Sequence, residues 1–289
     1  MKVGNLSIAG VVVLFHPKST VINNIQTYLD DLDLLYVVDN SENELTTYFS
    51  NYFEQTNKIK YIKNNENIGL ASALNIGVNK AINDNFNWLL TMDQDSFAEK
   101  GLIKNLLCCL SVYNHSKVGI ISPTHLIKGE RKIKSPQLCL EKDMVMTSGN
   151  LLNLEITKDV GTFLDKLFID QVDVEFCLRL FTSGYKIIKS NTAYLHHKLG
   201  NISYHNFLLK KYMTTNHSAL RKYYWLRNRL LVADMYNEYY PGLKKGHKKF
   251  IKKMIKMIIL FESNKIKKLK MLYKGYKDYK RGKYGKYCN

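Results

Sequence analysis

Two aspartates stand one residue apart directly after an apolar run of the chain. Asp93 and Asp95 follow Trp88–Met92, which has the composition of a buried strand. Side chains at positions i and i+2 of an extended segment point to the same side, so both carboxylates can bind one divalent cation, Mg²⁺ or Mn²⁺. Such a cation would neutralise a departing diphosphate. The alternative is an Asx turn that caps the next helix, which Asp95-Ser96 also favours.

A second acidic cluster lies in the segment Phe168–Thr182, which is predicted to be helical. Asp170 and Asp173 are three residues apart and share one face of that helix. Like charges this close raise the pKa of one another, which suits a general base. The alternative is an exposed helix start, with acids near its positive end and an ion pair between Glu175 and Arg179.

An aspartate also closes the second predicted strand, Leu34–Val38. Asp39 can accept hydrogen bonds from the base or ribose of a nucleotide, and the alternative is again a turn. A dinucleotide-binding enzyme would place an acid here too, but its glycine-rich fingerprint should follow the first strand. After Phe15 the chain instead reads His16-Pro17-Lys18-Ser19. This class of enzyme is therefore not expected.

Small residues recur every four positions at Gly69, Ala73 and Gly77. They form a helix face with almost no side chain, which allows another backbone or a ligand to approach closely. Packing of this helix against another helix is the favoured explanation for this face. A histidine pair, His196-His197, follows a strand-like segment, and it would complete a metal site only beside ordered carboxylates.

Strand and helix patterns alternate through the first 120 residues. The predicted strands are Ile8–Phe15, Leu34–Val38, Ile59–Ile62, Trp88–Met92 and Val118–Ile121. This order predicts an α/β fold with a mainly parallel, Rossmann-like sheet flanked by helices. Ligands of such sheets bind at the carboxyl ends of strands, where the acidic motifs stand. From Tyr204 onward the pattern predicts helices.

The positive charge is concentrated at the end of the chain. The 289 residues carry a net charge of +18, of which residues 241–289 contribute +15 and residues 1–240 only +3. We therefore predict two domains, an α/β domain over residues 1–230 and a basic amphipathic helical region over residues 231–289. The composition, 45% hydrophobic, excludes a chain that is disordered throughout.

The sequence also predicts the compartment. No apolar run approaches the roughly 20 residues of a membrane-spanning helix. The run Ile8–Phe15 lacks a signal-peptide cleavage site after it, so it is interpreted as a strand. Five cysteines without C-x-x-C spacing are interpreted as reduced thiols, which predicts a cytoplasmic protein.

Taken in order, these motifs resemble those of bacterial family 2 glycosyltransferases with the GT-A fold. The quoted motifs are the first apolar strand, a strand ending in Asp39, Asn67-x-Gly69, the D-x-D of Asp93 and Asp95, Thr147-Ser148-Gly149-Asn150, F-I-D-x-V-D-x-E-x-C-L-R, and H-x-x-G. Within that family the chain looks most like the rhamnosyltransferases of cell-surface polysaccharide assembly. The resemblance covers Ile8–Leu230 and leaves the basic tail outside.

The resemblance implies a role for each matching residue. The residues implied to bind the nucleotide sugar are Phe15, His16, Pro17, Asp39, Asn67, Gly69 and Asp93. The implied ligands of Mg²⁺ or Mn²⁺ are Asp93, Asp95 and His197, with His196 as the alternative histidine. Asp173 matches the catalytic aspartate; many relatives place glutamate before it, whereas this chain has Val172, and Asp170 is the alternative acid. Thr147, Ser148 and Gly149 would face the acceptor.

The resemblance further implies an inverting enzyme. It would move a sugar from a nucleotide donor to a hydroxyl of a lipid-linked or growing cell-surface polysaccharide, with an aspartate as general base. The implied donor is dTDP-L-rhamnose, and a UDP-hexose is the alternative.

Two other function classes fit parts of the sequence. A nucleotidyltransferase also pairs an acidic motif with Mg²⁺, but it should open with a glycine-rich basic loop, and His16–Val21 contains no glycine. A basic nucleic-acid-binding protein would use the lysines and tyrosines of Tyr273–Tyr287 for stacking. That class leaves Asp39, Asp93 and Asp173 unused, so we expect no nucleic-acid partner.

The basic tail contains an amphipathic helix pattern. Its apolar side is formed by Phe250, Met254, Met257, Ile258 and Phe261, and lysines surround it. Such a helix can lie on an anionic membrane surface, which predicts a peripheral protein at the inner face of the cell membrane. The alternative is an ordinary helix whose apolar face packs into a core and whose lysines are solvated.

Overall fold

The computed structural model describes residues 6–42, 47–127, 132, 135–197, 203–207 and 210–288. These residues form two compact units. The first unit comprises the described residues of Met1–Leu164 and Asp173–Lys198. The second comprises those of Asp165–Val172 and Leu199–Asn289. The predicted domain boundary at residue 230 stays a prediction.

Strands and helices alternate through the first half of the first unit, as predicted. In chain order they are β1 (Ile8–Leu14), α1 (Val21–Leu29), β2 (Leu34–Asp39), α2 (Thr47–Gln55), β3 (Ile59–Lys63), α3 (Leu70–Asn83) and β4 (Trp88–Asp93). Every residue of β1 is buried, which explains why its sequence is a continuous apolar run rather than an alternating one.

The second half of the first unit is more irregular. It contains β5 (Phe97–Ala98), α4 (Leu102–Leu107), β6 (Val118–Leu126), β7 (Cys139–Glu141), β8 (Asn150–Asn153), α5 (Leu154–Val160), α6 (Val172–Thr182) and β9 (Lys186–His196). Asn153 caps α5, because its side chain accepts hydrogen bonds from the backbone of Glu155 and Ile156.

One mixed sheet joins the strands of the first unit in the order β3-β2-β1-β4-β8-β6-β9-β5, and β7 pairs with β9. The pairs β1–β2, β1–β4, β2–β3 and β6–β9 are parallel. The pairs β4–β8, β6–β8, β5–β9 and β7–β9 are antiparallel. The α/β fold with flanking helices is confirmed, and the sheet is parallel in the half that the sequence predicted best.

The small face of α3 packs against β1. A Cβ atom added to Gly77 would lie 2.3 Å from Cγ2 of Val11 and 2.7 Å from its Cβ. Ala73 on the same face is fully buried. The small face serves close packing, but the expectation of a helix as partner is wrong at Gly77, where the partner is the strand β1.

The expectation of reduced cysteines is wrong for one pair. Cys109, in a short 3₁₀ helix after α4, forms a disulfide with Cys139 of β7. The bond joins residues 30 positions apart, and only the pairing of the edge strand β7 with β9 brings them together. Cys108, Cys177 and Cys288 are free.

The second unit begins with a hairpin where helices were predicted. Its elements are β10 (Ser203–Phe207), β11 (Lys210–Thr214), α7 (Ala219–Met235), α8 (Leu243–Phe261) and α9 (Lys265–Lys280). The two strands pair in antiparallel register. Their sequences are rich in polar residues and lack an apolar alternation, so the residue pattern did not predict strands.

The apolar side of α8 is used inside the second unit. Met254 and Ile258 pack with Leu226 of α7 and Leu272 of α9. Phe250 stays partly exposed and stacks on Trp225 at 5.4 Å between ring centroids. The alternative prediction for this helix, an apolar face in a core with solvated lysines, describes these contacts.

The predicted helix Phe168–Thr182 begins four residues late, at Val172. Phe168, Asp170 and Gln171 have positive φ angles of 63°, 64° and 65°, so a turn replaces the first helical residues. Such angles are unfavourable for residues other than glycine and persist where the surroundings hold them.

Two side chains of α7 hold this turn. The Asn228 side-chain amide donates hydrogen bonds to the backbone carbonyls of Leu167, Ile169 and Asp170 at 2.6, 2.7 and 3.2 Å. The buried guanidinium of Arg227 donates to the Leu167 carbonyl as well. These bonds compensate the cost of the left-handed residues.

None of the helices in the described ranges is both long enough and apolar enough to cross a bilayer.

Candidate active site

Three neighbouring strands bring the predicted donor-site residues to one edge of the sheet. Leu14 of β1 pairs with Asp39 of β2, and Val13 pairs with Asp93 of β4. Because these strands are parallel, the loops that follow them leave the sheet on the same side. Ligands of open α/β sheets bind at this edge, where the strand order reverses, and here that point lies between β1 and β4.

Asp93, Asp95 and His197 form a cluster that can hold a cation. One ligand atom of each lies within 4.8 Å of the other two, and His197 Nδ1 is 3.9 Å from Asp93 Oδ2. Ligand atoms on one octahedral Mg²⁺ or Mn²⁺ are about 3–4 Å apart. Carboxylates suit both ions, and an imidazole favours a transition metal. The residues present therefore fit a divalent cation.

The two adjacent histidines have different partners. His196 Nε2 lies 3.0 Å from Glu99 Oε1, so this ring is engaged away from the aspartates. His197 Nδ1 lies 2.8 Å from Ser96 Oγ, and this bond orients the ring. His197 is thus the histidine beside Asp93.

Ser148 joins the 147–149 loop to the turn that carries both aspartates. Its buried Oγ accepts a hydrogen bond from the Asp93 backbone N–H at 3.0 Å and donates one to Ser96 Oγ at 2.9 Å. Thr91 Oγ donates to the Thr147 carbonyl at 2.6 Å. The 147–149 loop, which was predicted to face the acceptor, is therefore hydrogen-bonded to the turn that carries Asp93 and Asp95. Ser148 itself is 1% exposed.

His125 of β6 supports the same loop. Its Nε2 lies 2.7 Å from the Ser148 carbonyl, which requires a proton on that nitrogen. Burial lowers the pKa of His125 to about 4, although the bond to Ser148 opposes this shift. The ring is therefore a neutral hydrogen-bond donor near neutral pH.

Gln94, between the two aspartates, links the β1 loop to the β4 loop. Its Oε1 accepts from the Phe15 backbone N–H at 2.9 Å, and its Nε2 donates to the Phe15 carbonyl at 3.1 Å. Phe15 is 41% exposed, and His16 pairs with Glu42 through Nε2 at 3.0 Å. The predicted nucleotide loop is thus fixed to the D-x-D turn by a side chain that the sequence analysis passed over.

Asp39 is fully buried, with both carboxylate oxygens in use. Oδ1 accepts from the Ser41 backbone N–H at 3.0 Å, and Oδ2 accepts from the Tyr61 hydroxyl at 2.7 Å. A contact between Asp39 and a nucleoside stays a prediction, and it requires that these oxygens become exposed.

Asn67 and Gly69 belong to a network of amides at the end of β2. Asn67 Oδ1 accepts from Asn40 Nδ2 and from the Gly69 backbone N–H, both at 3.0 Å. Asn40 Oδ1 accepts in turn from the Ile68 backbone N–H at 3.0 Å. Gly69 has φ = 91°, which explains the need for glycine before α3. The network holds the start of α3 against the end of β2.

The two candidate bases differ in their surroundings. Asp170 forms an ion pair with Arg221, whose Nε lies 3.2 Å from both carboxylate oxygens and whose Nη2 lies 3.1 Å from Oδ1. Asp173 stands in the first turn of α6, half-buried, and Oδ1 accepts from the Val174 backbone N–H at 2.8 Å. The Glu175–Arg179 ion pair of the alternative interpretation is present. The catalytic role of either aspartate stays a prediction.

Three supporting residues escaped the sequence analysis: Gln94, Ser96 and His125. Gln94 carried a detectable signal, because it stands inside the D-x-D motif at the end of a strand next to β1. Ser96 had been considered only as a capping residue. No signal in the sequence pointed to His125, since its role depends on the antiparallel pairing of β8 with both β4 and β6.

Comparison with known sequences places this site in a family. The family described as "Glycosyl transferase family 2" matches residues 19–146. A protein of Shigella flexneri named dTDP-rhamnosyl transferase RfbF is 25% identical in an alignment of 252 positions that covers 79% of this chain and 80% of that protein.

Solved structures share the fold at low sequence identity. GalNAc-T7 with UDP, GalNAc and Mn²⁺ superposes with a TM-score of 0.59 at 14% identity over 79% of this chain, which spans only 48% of that protein. The Pyrobaculum calidifontis mannosyltransferase PcManGT, in complex with GDP-Man and Mn²⁺, gives a TM-score of 0.55 at 12% identity over 76% of this chain and 61% of its own. TarS 1–349 of S. aureus gives 0.52 at 11% identity over 96% and 92% of the two chains.

The fold is GT-A-like, and the acidic cluster stands at its switch point. The family match and the S. flexneri relative point to a nucleotide-sugar glycosyltransferase. Residues 19–146 match glycosyl transferase family 2.

Proposed function

We propose that this glycosyltransferase transfers L-rhamnose from dTDP-L-rhamnose to a hydroxyl of a lipid-linked or growing cell-surface polysaccharide. The observation that carries the donor is the S. flexneri relative, which is named a dTDP-rhamnosyl transferase and matches about four fifths of both chains. A UDP-hexose is the second candidate donor, because TarS, which shares the fold, binds UDP-GlcNAc in its crystal structure.

Different residues of the first unit are proposed to hold the metal, to orient its ligands and to support the nucleoside. A divalent cation held by Asp93, Asp95 and His197 would neutralise the charge that develops on the departing diphosphate. Ser148 and Ser96 orient two of these three residues through the bonds described above. Gln94 fixes the Phe15 backbone, which is the wall on which the nucleoside is expected to lie.

Asp173 is the proposed general base. As the acceptor oxygen attacks the anomeric carbon, its proton passes to the Asp173 carboxylate, and the bond from that carbon to the phosphate oxygen breaks. The electron pair of this bond leaves with the nucleoside diphosphate, and the configuration inverts. Asp170 is the weaker candidate, because its carboxylate is bound by Arg221. General base catalysis of this kind contributes about 10²–10⁴-fold.

A donor panel tests the proposal. Purified protein is incubated with Mn²⁺ or Mg²⁺ and one of dTDP-L-rhamnose, UDP-glucose, UDP-GlcNAc or GDP-mannose, and release of nucleoside diphosphate is measured. We expect dTDP-L-rhamnose to be used fastest. Turnover of a UDP-hexose with no use of dTDP-rhamnose would reject the donor and leave the metal and base assignments untouched.

We further propose that α8 binds an anionic membrane surface. Seven exposed lysines lie on this helix: Lys244, Lys245, Lys248, Lys249, Lys252, Lys253 and Lys256. Among the described ion pairs, only Lys244 has an acidic partner, Asp234. Because Met254 and Ile258 are buried, attraction to anionic headgroups rather than insertion of the apolar face would hold the helix there.

Vesicle sedimentation tests this surface. We expect the wild type to bind phosphatidylglycerol vesicles and not phosphatidylcholine vesicles, with each basic residue contributing about 1 kcal/mol. Changing Lys248, Lys249, Lys252 and Lys253 to glutamine should abolish binding. A matched control changes four exposed lysines of the first unit to glutamine, at Lys104, Lys117, Lys142 and Lys158. Equal loss in both variants would contradict a specific role of α8.

A further inference from the structure

A small, partly open cavity lies behind the 147–149 loop in the first unit. Its volume is about 10 Å³. Its lining is mostly apolar, and the polar side chains among the lining residues are those of Thr147, Asn150, Asp173 and Cys177. A space of about 10–15 Å³ holds one water molecule when two to four polar partners surround it.

Asn150 brings an unsatisfied polar atom to this cavity. The residue is 3% exposed, and its Oδ1 has no hydrogen-bond partner within the described part of the chain. It stands at the start of β8, whose next two residues, Leu151 and Leu152, are buried and apolar. An apolar side chain of the same shape would avoid the desolvation of an unpaired carbonyl. The asparagine therefore indicates a partner that donates a hydrogen bond.

The other cavity groups restrict what that partner is. The Cys177 thiol is directed to the Val145 carbonyl at 3.9 Å, and burial raises its pKa to about 12, so it stays protonated. Asp173, like Asn150 Oδ1, offers acceptor oxygens. An occupant that pairs with both Asn150 Oδ1 and Asp173 must donate hydrogen bonds in two directions and occupy one molecular volume, and water does both.

We propose that Asn150 is a positioning residue for Asp173. A single water molecule in the cavity donates one hydrogen to Asn150 Oδ1 and the other to the Asp173 carboxylate. Together with the Val174 backbone N–H, which already donates to Asp173 Oδ1 at 2.8 Å, this water fixes the carboxylate at two points. The carboxylate is thereby held in one orientation for the acceptor hydroxyl. This inference rests on the proposed role of Asp173 as the base.

The test compares two identical substitutions on one strand. Asn150→Leu removes the unpaired oxygen and keeps the shape, so we expect the thermal midpoint to stay the same or rise, while kcat for transfer falls by about 10- to 100-fold. Donor KM and calorimetric binding of nucleoside diphosphate should not change. Asn153→Leu is the control, because the Asn153 side chain caps α5 and donates to the His115 carbonyl, away from the cavity. It should lower the thermal midpoint and leave kcat per folded molecule unchanged.

Each outcome supports or rejects the positioning role of Asn150. Wild-type kcat in Asn150→Leu would overturn the inference, and so would a parallel loss of stability and donor binding, which indicates a purely structural residue. If Asn150→Leu fails to fold, Asn150→Ala removes the same oxygen with less bulk and is judged by the same kcat. Full activity of Asp173→Asn would instead reject the proposed base. A crippled Asp173→Asn beside a normal Asn150 variant would reject only the positioning role.

Discussion

The Oγ of Ser148 accepts a hydrogen bond from the backbone N–H of Asp93 at 3.0 Å, across 55 residues of chain. This bond places a residue of one loop under the first aspartate of the metal cluster. Ser148 Oγ also donates to Ser96, which in turn bonds His197. Two of the three candidate ligands are thus oriented through a single buried hydroxyl.

Removing that hydroxyl should weaken metal binding. We expect Ser148→Ala to lower Mn²⁺ affinity by about 10- to 100-fold, because residues that orient metal ligands contribute this much. Titration calorimetry measures the affinity directly. Ser122→Ala is the control, since Ser122 is equally buried but its Oγ makes only a 3.5 Å contact to the Pro123 carbonyl. Equal affinities in the two variants would contradict the orienting role.

Substitution of an aspartate in the cluster tests the need for a cation more directly. Asp95→Asn keeps the shape of an exposed side chain and removes one charge from the cluster, so turnover at limiting Mn²⁺ should drop sharply while the thermal midpoint stays constant. Removal of the metal from the wild type by excess EDTA should have the same effect. Full activity of the wild type in chelator would show that no cation is needed.

Asp170 and Asp173 are distinguished by parallel substitutions. Asp173→Asn should reduce turnover by about 10²-fold or more and leave donor binding intact, because only the proton acceptor is lost. Asp170→Asn breaks the pair with Arg221, whose side chain is 44% exposed. Its main effect should be a loss of stability of about 1 kcal/mol or less. Turnover and urea unfolding, measured on both variants, settle the assignment; the reverse pattern would make Asp170 the base.

Two glycines in helices should respond to alanine with opposite signs. Gly77→Ala places a Cβ atom against Val11 at 2.3 Å, so overpacking should destabilise the first unit by about 1–3 kcal/mol. Gly246→Ala in α8 meets nothing within 4 Å, so the higher helix propensity of alanine should stabilise the second unit by up to about 1 kcal/mol. Urea unfolding of both variants measures the signs. Stabilisation by Gly77→Ala would show that α3 and β1 can separate without cost.

The second unit should lose stability in acid through Glu262. Burial alone would raise the pKa of this carboxylate, but Lys222 at 2.9 Å and Lys268 at 2.8 Å lower it below its usual range. A lowered pKa means that the stabilisation is fully present above the ordinary value of about 4.3 and is lost as the pH falls through the lowered value.

Glu262→Gln checks this pH dependence. It leaves two buried lysines without a counter-charge, so we expect a loss of about 3–5 kcal/mol at pH 7 and a flatter stability profile below pH 5. Glu238→Gln changes an exposed glutamate of the same unit and should change neither quantity. An acid profile of Glu262→Gln that matches the wild type would mean that other groups control acid unfolding. Fluorescence-monitored urea unfolding at several pH values supplies the data.

The sheet edge that carries Asp39 and Asp93 was predictable because of parallel strand topology. Strands that alternate with helices must end at one edge, so Asp39 and Asp93 could be placed together from their positions alone. Local pattern also sufficed for α3 and for the buried strand β1. The patterns of α3 and β1 depend only on residues that are neighbours in the sequence.

The remainder depends on long-range pairing, which residue patterns do not encode. Ser148 comes beneath Asp93 only because β8 inserts beside β4 in antiparallel register. Likewise, His196 and His197 are identical in type, and only their bonds to Glu99 and Ser96 distinguish them. The turn at Phe168 escaped prediction because left-handed residues other than glycine are rare, and Asn228 holds them from 58 to 61 positions away.

The 147–149 loop has a consequence for how this enzyme can diverge. Gly149 has φ = 83°, and a Cβ atom there would lie 2.7 Å from Pro123 Cγ, so other residues are excluded. Ser148 is committed to the bonds beneath Asp93. Of the three residues, only Thr147 retains a partly exposed side chain. Within this loop, a lineage that adapts to a new acceptor would accumulate its substitutions at Thr147, while its two neighbours remain invariant.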